Sequence, residues 1–318
     1  MMSRPAADVS KRKAWVMAAR PHTLPAGTAP VIVGVGVAVH DGVFALFPTL
    51  AALVGALLIQ IGTNFANDYF DAVKGADTDE REGFTRVTAS GLIEPDEVKR
   101  AIIVTYGLAI GVGLYLVAIG GVPILFVGLS GIAAGILYTG GPYPYGYYGL
   151  GDLFVFVYFG VFAVVGTYYV QAASTMADLF PLWGPSGTVS LAVVVASLPA
   201  ATLSTAILNV NNIRDIETDR KAGKRTLAVI LGDRLSRLEY VFMIGTAYVV
   251  PVVFALDSDF GLPALLPLLT LPLAVSVTLT VLTESGGDVL DPALERTGQV
   301  MVAHAALFAL GLALPQVI

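Results

Sequence analysis

The sequence predicts an all-α, polytopic membrane protein with about nine transmembrane helices and a cytoplasmic amino terminus. Of the 318 residues, 56% are hydrophobic and only 13% are charged, and the mean hydropathy is +0.77. A soluble domain does not need that much apolar surface, whereas a polytopic membrane protein does. The apolar runs lack the alternation of barrel strands. Because backbone groups in lipid must bond internally, we expect these runs to be helices.

Apolar runs of about 20 residues, the length that crosses a bilayer as a helix, recur along the whole chain. Gly and Pro interrupt several of them, so eight or ten spans are alternatives to the expected nine. The runs are placed at 24–40, 44–66, 101–119, 122–138, 153–173, 188–209, 239–256, 262–282 and 299–317.

Residues 1–22 precede the first span, and we expect them to form a cytoplasmic segment that lies at the membrane interface. Their basic region is long and leads directly into further spans, which is not typical of a cleaved secretory signal. Residues 23–318 then form a single transmembrane domain. Its Asp-rich loops, 64–100 and 209–238, are expected on the cytoplasmic side.

The distribution of basic residues predicts the orientation of the spans. With nine spans, all 18 Lys and Arg fall on one side of the membrane, and the opposite loops contain Asp but no base. By the positive-inside rule that side is the cytoplasm, and the carboxyl terminus lies outside. We therefore expect a multi-pass protein of the cell membrane whose site faces the cytoplasm.

Composition also excludes several kinds of site. The chain has no cysteine, so it has no disulfide, no thiolate nucleophile and no Cys-ligated metal. Its three histidines, His22, His40 and His304, are scattered, which disfavours a His-based metal site. The net charge of −6 disfavours nucleic acid as a partner.

Two polar clusters interrupt this apolar chain at the cytoplasmic ends of predicted spans. In the first Asp motif, residues 64–71, helical spacing puts Asn64, Asp68 and Asp71 on one face. The second Asp motif, residues 209–219, repeats this spacing. Each motif is followed by bases and a Thr- and Gly-containing stretch, which suggests an internal duplication. The polar residues of the two motifs are Asn64, Asn67, Asp68, Asp71, Asn211, Asn212, Asp215 and Asp219.

Clustered carboxylates repel one another unless a cation lies between them. Mg²⁺ typically takes one or two carboxylates together with substrate phosphates, so two facing Asp pairs would bind a bridging diphosphate. Lys74, Lys224 and Arg225 could then hold the outer phosphate oxygens. A single Asp in such a loop is more typical of a solvated surface, but two clusters with matched spacing favour a site.

A Gly-, Pro- and Tyr-rich loop at 138–152 is also expected on the cytoplasmic side. Tyrosines such as Tyr138 are common interfacial anchors, but an aromatic loop could also close over a carbocation through cation–π contacts. Asp152 is either a substrate-binding residue or the N-cap of the next helix. Arg20 is either an interfacial anchor or a substrate contact.

These residues resemble the UbiA-type superfamily of intramembrane aromatic prenyltransferases. The Gly-Ala-Asp that follows the first Asp motif, and the Asn-Asn-x-Arg-Asp form of the second, are most similar to the branch that prenylates 1,4-dihydroxy-2-naphthoate in menaquinone synthesis. The resemblance runs over most of the chain and rests on residues 19–26, 60–77, 138–142, 149–152 and 211–226.

The resemblance implies nine helices around a central cavity that opens sideways to lipid. It further implies that Mg²⁺ on Asp68, Asp71, Asp215 and Asp219 grips the diphosphate of a polyprenyl donor. Ionisation of the donor would give a carbocation that the naphthoate ring attacks. The ring carboxylate would be lost as CO₂, and the product would be demethylmenaquinol.

Two positions depart from the family pattern. Many members have a third Asp four residues after the position of Asp71; here Gly75 occupies it, so the resemblance does not carry a ligand role onto Asp77. The loop after Tyr138 lacks the Lys or Arg of hydroxybenzoate-type members, which disfavours that acceptor. Homogentisate, 4-hydroxybenzoate, a chlorophyll or haem precursor and a glycerol-phosphate lipid remain alternatives. A transporter is a further alternative, although such proteins place charges at the midplane rather than at the rim.

Overall fold

The computed structural model describes residues 9–75, 84–176, 178–184 and 188–317, in which helices joined by short loops and no strands occur. Short 3₁₀ segments occupy Pro21–Thr23, Tyr145–Tyr148 and Leu262–Thr270, and a π-helical segment occupies Phe156–Phe162. The α-helices are α1 Lys11–Ala19, α2 Pro25–His40, α3 Leu46–Val73, α4 Pro95–Leu137, α5 Gly151–Val155, α6 Ala163–Met176, α7 Leu191–Arg214, α8 Ile216–Lys221, α9 Leu227–Leu231, α10 Asp233–Ala255, α11 Leu271–Thr283 and α12 Gly287–Val317.

Seven helical segments within the described residues are long and apolar enough to cross a membrane, and the bent pair Lys11–Thr23 and Pro25–His40 brings the number to eight. Large apolar side chains cover the outside of the bundle: Phe47 is 74% exposed, Leu191 77% and Leu269 71%. In water, a surface this apolar would cause aggregation, whereas in a bilayer it contacts apolar lipid tails. The structure thus confirms the prediction of an all-α protein with several membrane-spanning helices.

Helix α4 is a hairpin rather than one straight helix. Its 43 residues would extend about 65 Å at 1.5 Å per residue, twice the thickness of the hydrocarbon core. Gly121 breaks it, with φ 63° and ψ −147°. The two arms then lie side by side, because the Tyr106 hydroxyl of the first arm is 3.2 Å from the Thr63 hydroxyl, and a Cβ on Gly135 of the second arm would approach both.

Small residues let the central helices pack closely. A Cβ on Gly36 of α2 would lie 2.4 Å from Cα of Ala309 on α12, and one on Gly160 of the π-helical segment would lie 2.2 Å from Cα of Ala201 on α7. Close backbone approach of this kind is a common way for helices to associate in lipid, where dispersion contacts replace the hydrophobic effect. The core around α2, α7, α10 and α12 is therefore a firm support for the site.

Helix α3 carries the first Asp motif to the edge of the membrane. It has 28 residues and is about 42 Å long, more than the roughly 30 Å of a hydrocarbon core. Helix α1 packs on this overhang: Ala14 and Ala18 are buried, and the ring of Trp15 lies edge-on to Phe65 at 5.6 Å. The amino-terminal segment therefore supports the Asp-rich end of the bundle.

Candidate functional site

A cavity of about 390 Å³ joins the two Asp motifs to the apolar interior of the bundle. Its walls come from α2, α3, both arms of α4, the 138–147 loop, the π-helical segment and α7. Asp71, Asp215 and Asp219 line its polar end, and side chains such as Val117 and Phe162 line the apolar remainder. The cavity thus offers a charged end and a long apolar compartment.

Asp71 has three side-chain partners at the polar end. It is 1% exposed. Its Oδ1 accepts a hydrogen bond from the Tyr147 hydroxyl at 2.6 Å, and its Oδ2 lies 3.4 Å from a guanidinium nitrogen of Arg86 and 3.5 Å from Nζ of Lys224. Two bases and a phenol therefore compensate this buried charge.

Asp68, one turn earlier on α3, lies outside the cavity wall and directs its Oδ2 toward the 86–91 loop. Its Oδ2 accepts hydrogen bonds from the backbone N–H of Thr88, at 3.0 Å, and from the Thr88 hydroxyl. Neither Thr88 nor Arg86 is among the sequence-predicted site residues. The Thr- and Gly-containing stretch that follows the first Asp motif is the signal that points to them.

The second Asp motif lies where α7 passes into α8. Helix α7 ends at Arg214, but helical hydrogen bonds continue through the junction, from Asp215 N to the Asn211 carbonyl at 3.2 Å and from Asp219 N to the Asp215 carbonyl at 2.8 Å. The predicted spacing thus survives the break. Both carboxylates line the cavity.

Arg214 holds Asp215 from within the motif. Its Nε and one terminal nitrogen each donate at 2.7 Å to a different oxygen of the Asp215 carboxylate. The same guanidinium also donates to Asp291 on α12 and, at 2.8 Å, to Oδ1 of Asn211. Because Arg214 and Asp215 are nearly fully buried, this fork fixes the carboxylate as well as neutralising it.

Lys224 connects the two motifs. Besides its contact with Asp71, its Nζ lies 4.0 Å from Oδ1 of Asp219 and 4.8 Å from the centroid of the Tyr147 ring. Its side chain is 9% exposed. A cation between carboxylates of different helices lowers their mutual repulsion, and the ring face adds a cation–π contact.

The remaining predicted residues divide into two groups. Arg20, Asn64, Asn67, Asn211, Asn212 and Tyr138 line the cavity. Lys74 instead donates to the carbonyls of Thr139 and Gly141 at 2.6 and 3.2 Å, the side chain of Arg225 is exposed, and Asp152 is buried outside the cavity wall. Asp77 lies outside the described residues.

The phenol groups of Tyr138 and Tyr145 stay protonated at neutral pH. Burial raises the pKa of Tyr138 well above its ordinary value, and the nearby carboxylate of Asp152 adds to this. Burial also raises the pKa of Tyr145, whose ring meets Tyr138 edge-on at 5.4 Å. Both residues therefore line the cavity with neutral rings, and the Tyr145 hydroxyl donates to the Ala134 carbonyl at 2.8 Å.

The donor set fits Mg²⁺ that is shared with a phosphate group. Among the described residues, no group of three or more His, Cys, Asp or Glu side chains is close enough to hold one ion. Asp71 of the first motif and Asp215 and Asp219 of the second line the cavity. Mg²⁺ characteristically combines one or two carboxylates with phosphate and water oxygens.

Comparisons with known proteins decide the family. A profile of the UbiA prenyltransferase family matches residues 28–288, which is most of the chain. The chain belongs to the UbiA prenyltransferase family. It is 39% identical to a 1,4-dihydroxy-2-naphthoate octaprenyltransferase of Escherichia coli over 97% of this chain and 98% of the relative. It is also 39% identical to a protein of the same name from Mycobacterium tuberculosis, over 95% and 97%.

Solved structures of this family share the fold. A UbiA homologue from Aeropyrum pernix superimposes with a TM-score of 0.66 over 89% of this chain and 96% of its own, at 13% identity. A UbiA homologue from Archaeoglobus fulgidus, solved with DMAPP and Mg²⁺, does so with a TM-score of 0.57 over 92% and 98%, at 16% identity. The resemblance inferred from the motifs is confirmed, and this UbiA protein is an aromatic prenyltransferase.

Proposed function

We propose that this UbiA protein transfers a polyprenyl group from its diphosphate to 1,4-dihydroxy-2-naphthoate, with Mg²⁺, releasing CO₂ and giving demethylmenaquinol. The observation that carries the proposal is the cavity, whose two Asp motifs and bases lie at one end of an apolar compartment. A polyprenyl diphosphate has the same distribution, a charged head and an apolar tail. The names of the bacterial relatives support naphthoate as the acceptor.

The protein's part at the polar end is to hold charge in place. Asp71, Asp215 and Asp219, which line the cavity, would hold Mg²⁺ together with Asp68, whose Oδ1 is not used by Thr88. The metal supplies neutralising charge for the departing diphosphate. Lys224 already lies between both motifs and lines the cavity, so its ammonium can reach a phosphate oxygen there. The donors around each carboxylate keep its orientation, which is the protein's contribution to a site of this kind.

The rest of the cavity supports the chemistry of the prenyl group. The allylic C–O bond breaks, and its electron pair leaves with the diphosphate. The rings of Tyr138, Tyr145 and Phe154 line the cavity and stack or meet edge-on, so they can stabilise the allylic cation and exclude water that would quench it. A naphthoate ring carbon then bonds to the prenyl carbon. When CO₂ leaves that carbon, the electron pair of the broken bond restores the aromatic ring, so no base has to accept a ring proton.

The proposed topology has nine spans, with the amino terminus and both Asp motifs in the cytoplasm and the protein in the cell membrane. Nine spans result when α4 is counted as two spans, one for each arm, and the bent pair that begins the chain is counted as one. The distribution of Lys and Arg supports this orientation.

The test is an assay of purified protein in lipid nanodiscs with a polyprenyl diphosphate and carboxyl-labelled 1,4-dihydroxy-2-naphthoate, with and without Mg²⁺. We expect prenylated quinol by mass spectrometry and released label as CO₂, both dependent on Mg²⁺. Transfer to another aromatic acceptor in place of naphthoate would overturn the acceptor and retain the polar end. Transfer that is equally fast after chelation of divalent ions would overturn the role of Mg²⁺.

A further inference from the structure

Gln60 lies on the face of α3 that carries the first Asp motif, one helical turn before Asn64. Its side chain is 6% exposed and lines the cavity. Asp68 follows eight residues later, which is about 12 Å along the helix axis. Gln60 therefore lies in the cavity wall on the membrane side of the charged end.

The amide of Gln60 has a defined orientation. Thr23 donates its hydroxyl proton to the Arg20 carbonyl at 2.9 Å, so the Thr23 oxygen can only accept from its other neighbours. It accepts from Nε2 of Gln60 and from Nδ2 of Asn64, each at 2.9 Å. Nε2 of Gln60 is thus directed to Thr23, and Oε1 is the atom that remains.

Oε1 of Gln60 is buried and accepts no hydrogen bond from any residue in the described part of the chain. A buried acceptor without a donor is unfavourable, so such atoms in binding cavities mark places where a ligand supplies the donor. Of the two proposed substrates, the prenyl diphosphate has only acceptor oxygens when ionised, and its tail is apolar. The aromatic acceptor is the substrate that carries O–H donors.

We infer that Oε1 of Gln60 accepts a hydrogen bond from a ring hydroxyl of the aromatic acceptor and orients that ring in the cavity. The inference rests on the proposed function. A neutral amide oxygen accepts the bond without removing the proton. The bond polarises the O–H group and increases the electron density of the ring, which favours attack on a cation. The Thr23 contact keeps the amide from turning, so the ring is held on one side of the cavity.

The experiment is a thermodynamic cycle in which the residue in the enzyme and the hydroxyl in the substrate are each changed, separately and together. The kcat/KM of the hydroxylated acceptor is compared with that of its two mono-O-methyl ethers, in wild type and in Gln60→Leu. We expect one ether to be about tenfold or more poorer with wild type and this difference to shrink to about twofold or less in Gln60→Leu. The KM for the prenyl diphosphate should change little, which a general structural defect would not allow.

Gln171→Leu is the matched control. Gln171 is fully buried on α6 outside the cavity wall, and both ends of its amide are used, by the backbone of Thr167 and Ala45. Its replacement should leave the ratio of kcat/KM between the hydroxylated acceptor and each ether at the wild-type value. Equal ratios in wild type and Gln60→Leu would overturn the inference, including the case in which Oε1 is bonded to water. If wild type does not prenylate the proposed acceptor, the proposed function fails independently of Gln60. The same comparison is then made with the phenol that wild type does prenylate and with the methyl ethers of that phenol.

Discussion

Replacing Thr88 with Val removes one hydrogen bond from the Asp68 carboxylate and barely changes the shape of the side chain. The same oxygen, Oδ2, accepts from the backbone N–H and from the hydroxyl of Thr88, and Asp68 is only 2% exposed. In Thr88→Val the backbone bond remains. A hydrogen bond to a charged group is worth about 1.5–3 kcal/mol, which corresponds to a factor of about 10 to 150 in an equilibrium constant.

We expect this loss to appear in the metal dependence of the reaction, because a carboxylate that is no longer held makes a poorer ligand. The Mg²⁺ concentration for half-maximal diphosphate release should rise about tenfold or more in Thr88→Val, measured at saturating prenyl diphosphate and acceptor. Thr88→Ser keeps the hydroxyl and should stay within about twofold of wild type. An unchanged Mg²⁺ dependence in Thr88→Val, or an equal shift in Thr88→Ser, would refute the reasoning.

Three further outcomes are expected. Asp215→Ala should abolish turnover while the protein still inserts and elutes as wild type, because its arginine partner keeps a second carboxylate on α12; full activity would remove this residue from the metal site. Tyr147→Phe loses the 2.6 Å bond to Asp71 but keeps its ring, so kcat should fall by about tenfold. The melting temperature should fall by only a few degrees, because Arg86 and Lys224 remain beside Asp71; steady-state kinetics and a melting curve check both. The chain has no cysteine, so Ser10→Cys should react with an impermeant maleimide only from the cytoplasmic side and Asp178→Cys only from outside; the reverse pattern would invert the topology.

The helical pattern of the chain is readable from composition and periodicity alone. Apolar runs predict the spans, and the spacing of Asn64, Asp68 and Asp71 predicts a shared face on one helix, which α3 provides. The break in α4 lies between the predicted spans 101–119 and 122–138, at Gly121. What periodicity does not contain is the backbone conformation of this break, because the run stays apolar through both arms of α4. A positive φ at one glycine, rather than a change of composition, separates the two arms there.

Side-chain partners across loops are the part of the site that the sequence did not reveal. The partner of Asp68 is Thr88, twenty residues later, and only the tertiary course of the intervening loop brings them together. Lys224 and Arg225 are adjacent in sequence and equivalent in charge, yet the structure directs Lys224 to the cavity and leaves Arg225 exposed. Neighbouring residues at a turn point in different directions, so charge and proximity to a motif cannot choose between them.

The carboxylates of the polar end are buried and paired with basic side chains; they do not form an exposed acidic cluster. Asp71 shares Arg86 and Lys224, and Asp215 shares Arg214 with a second carboxylate. A buried charge that loses its partner destabilises the protein. A diphosphate and its metal must therefore replace these ion pairs with new ones as they enter. Salt screens buried pairs far less than exposed ones. Substrate affinity at this site should therefore depend on ionic strength less than the charge of a diphosphate alone would suggest.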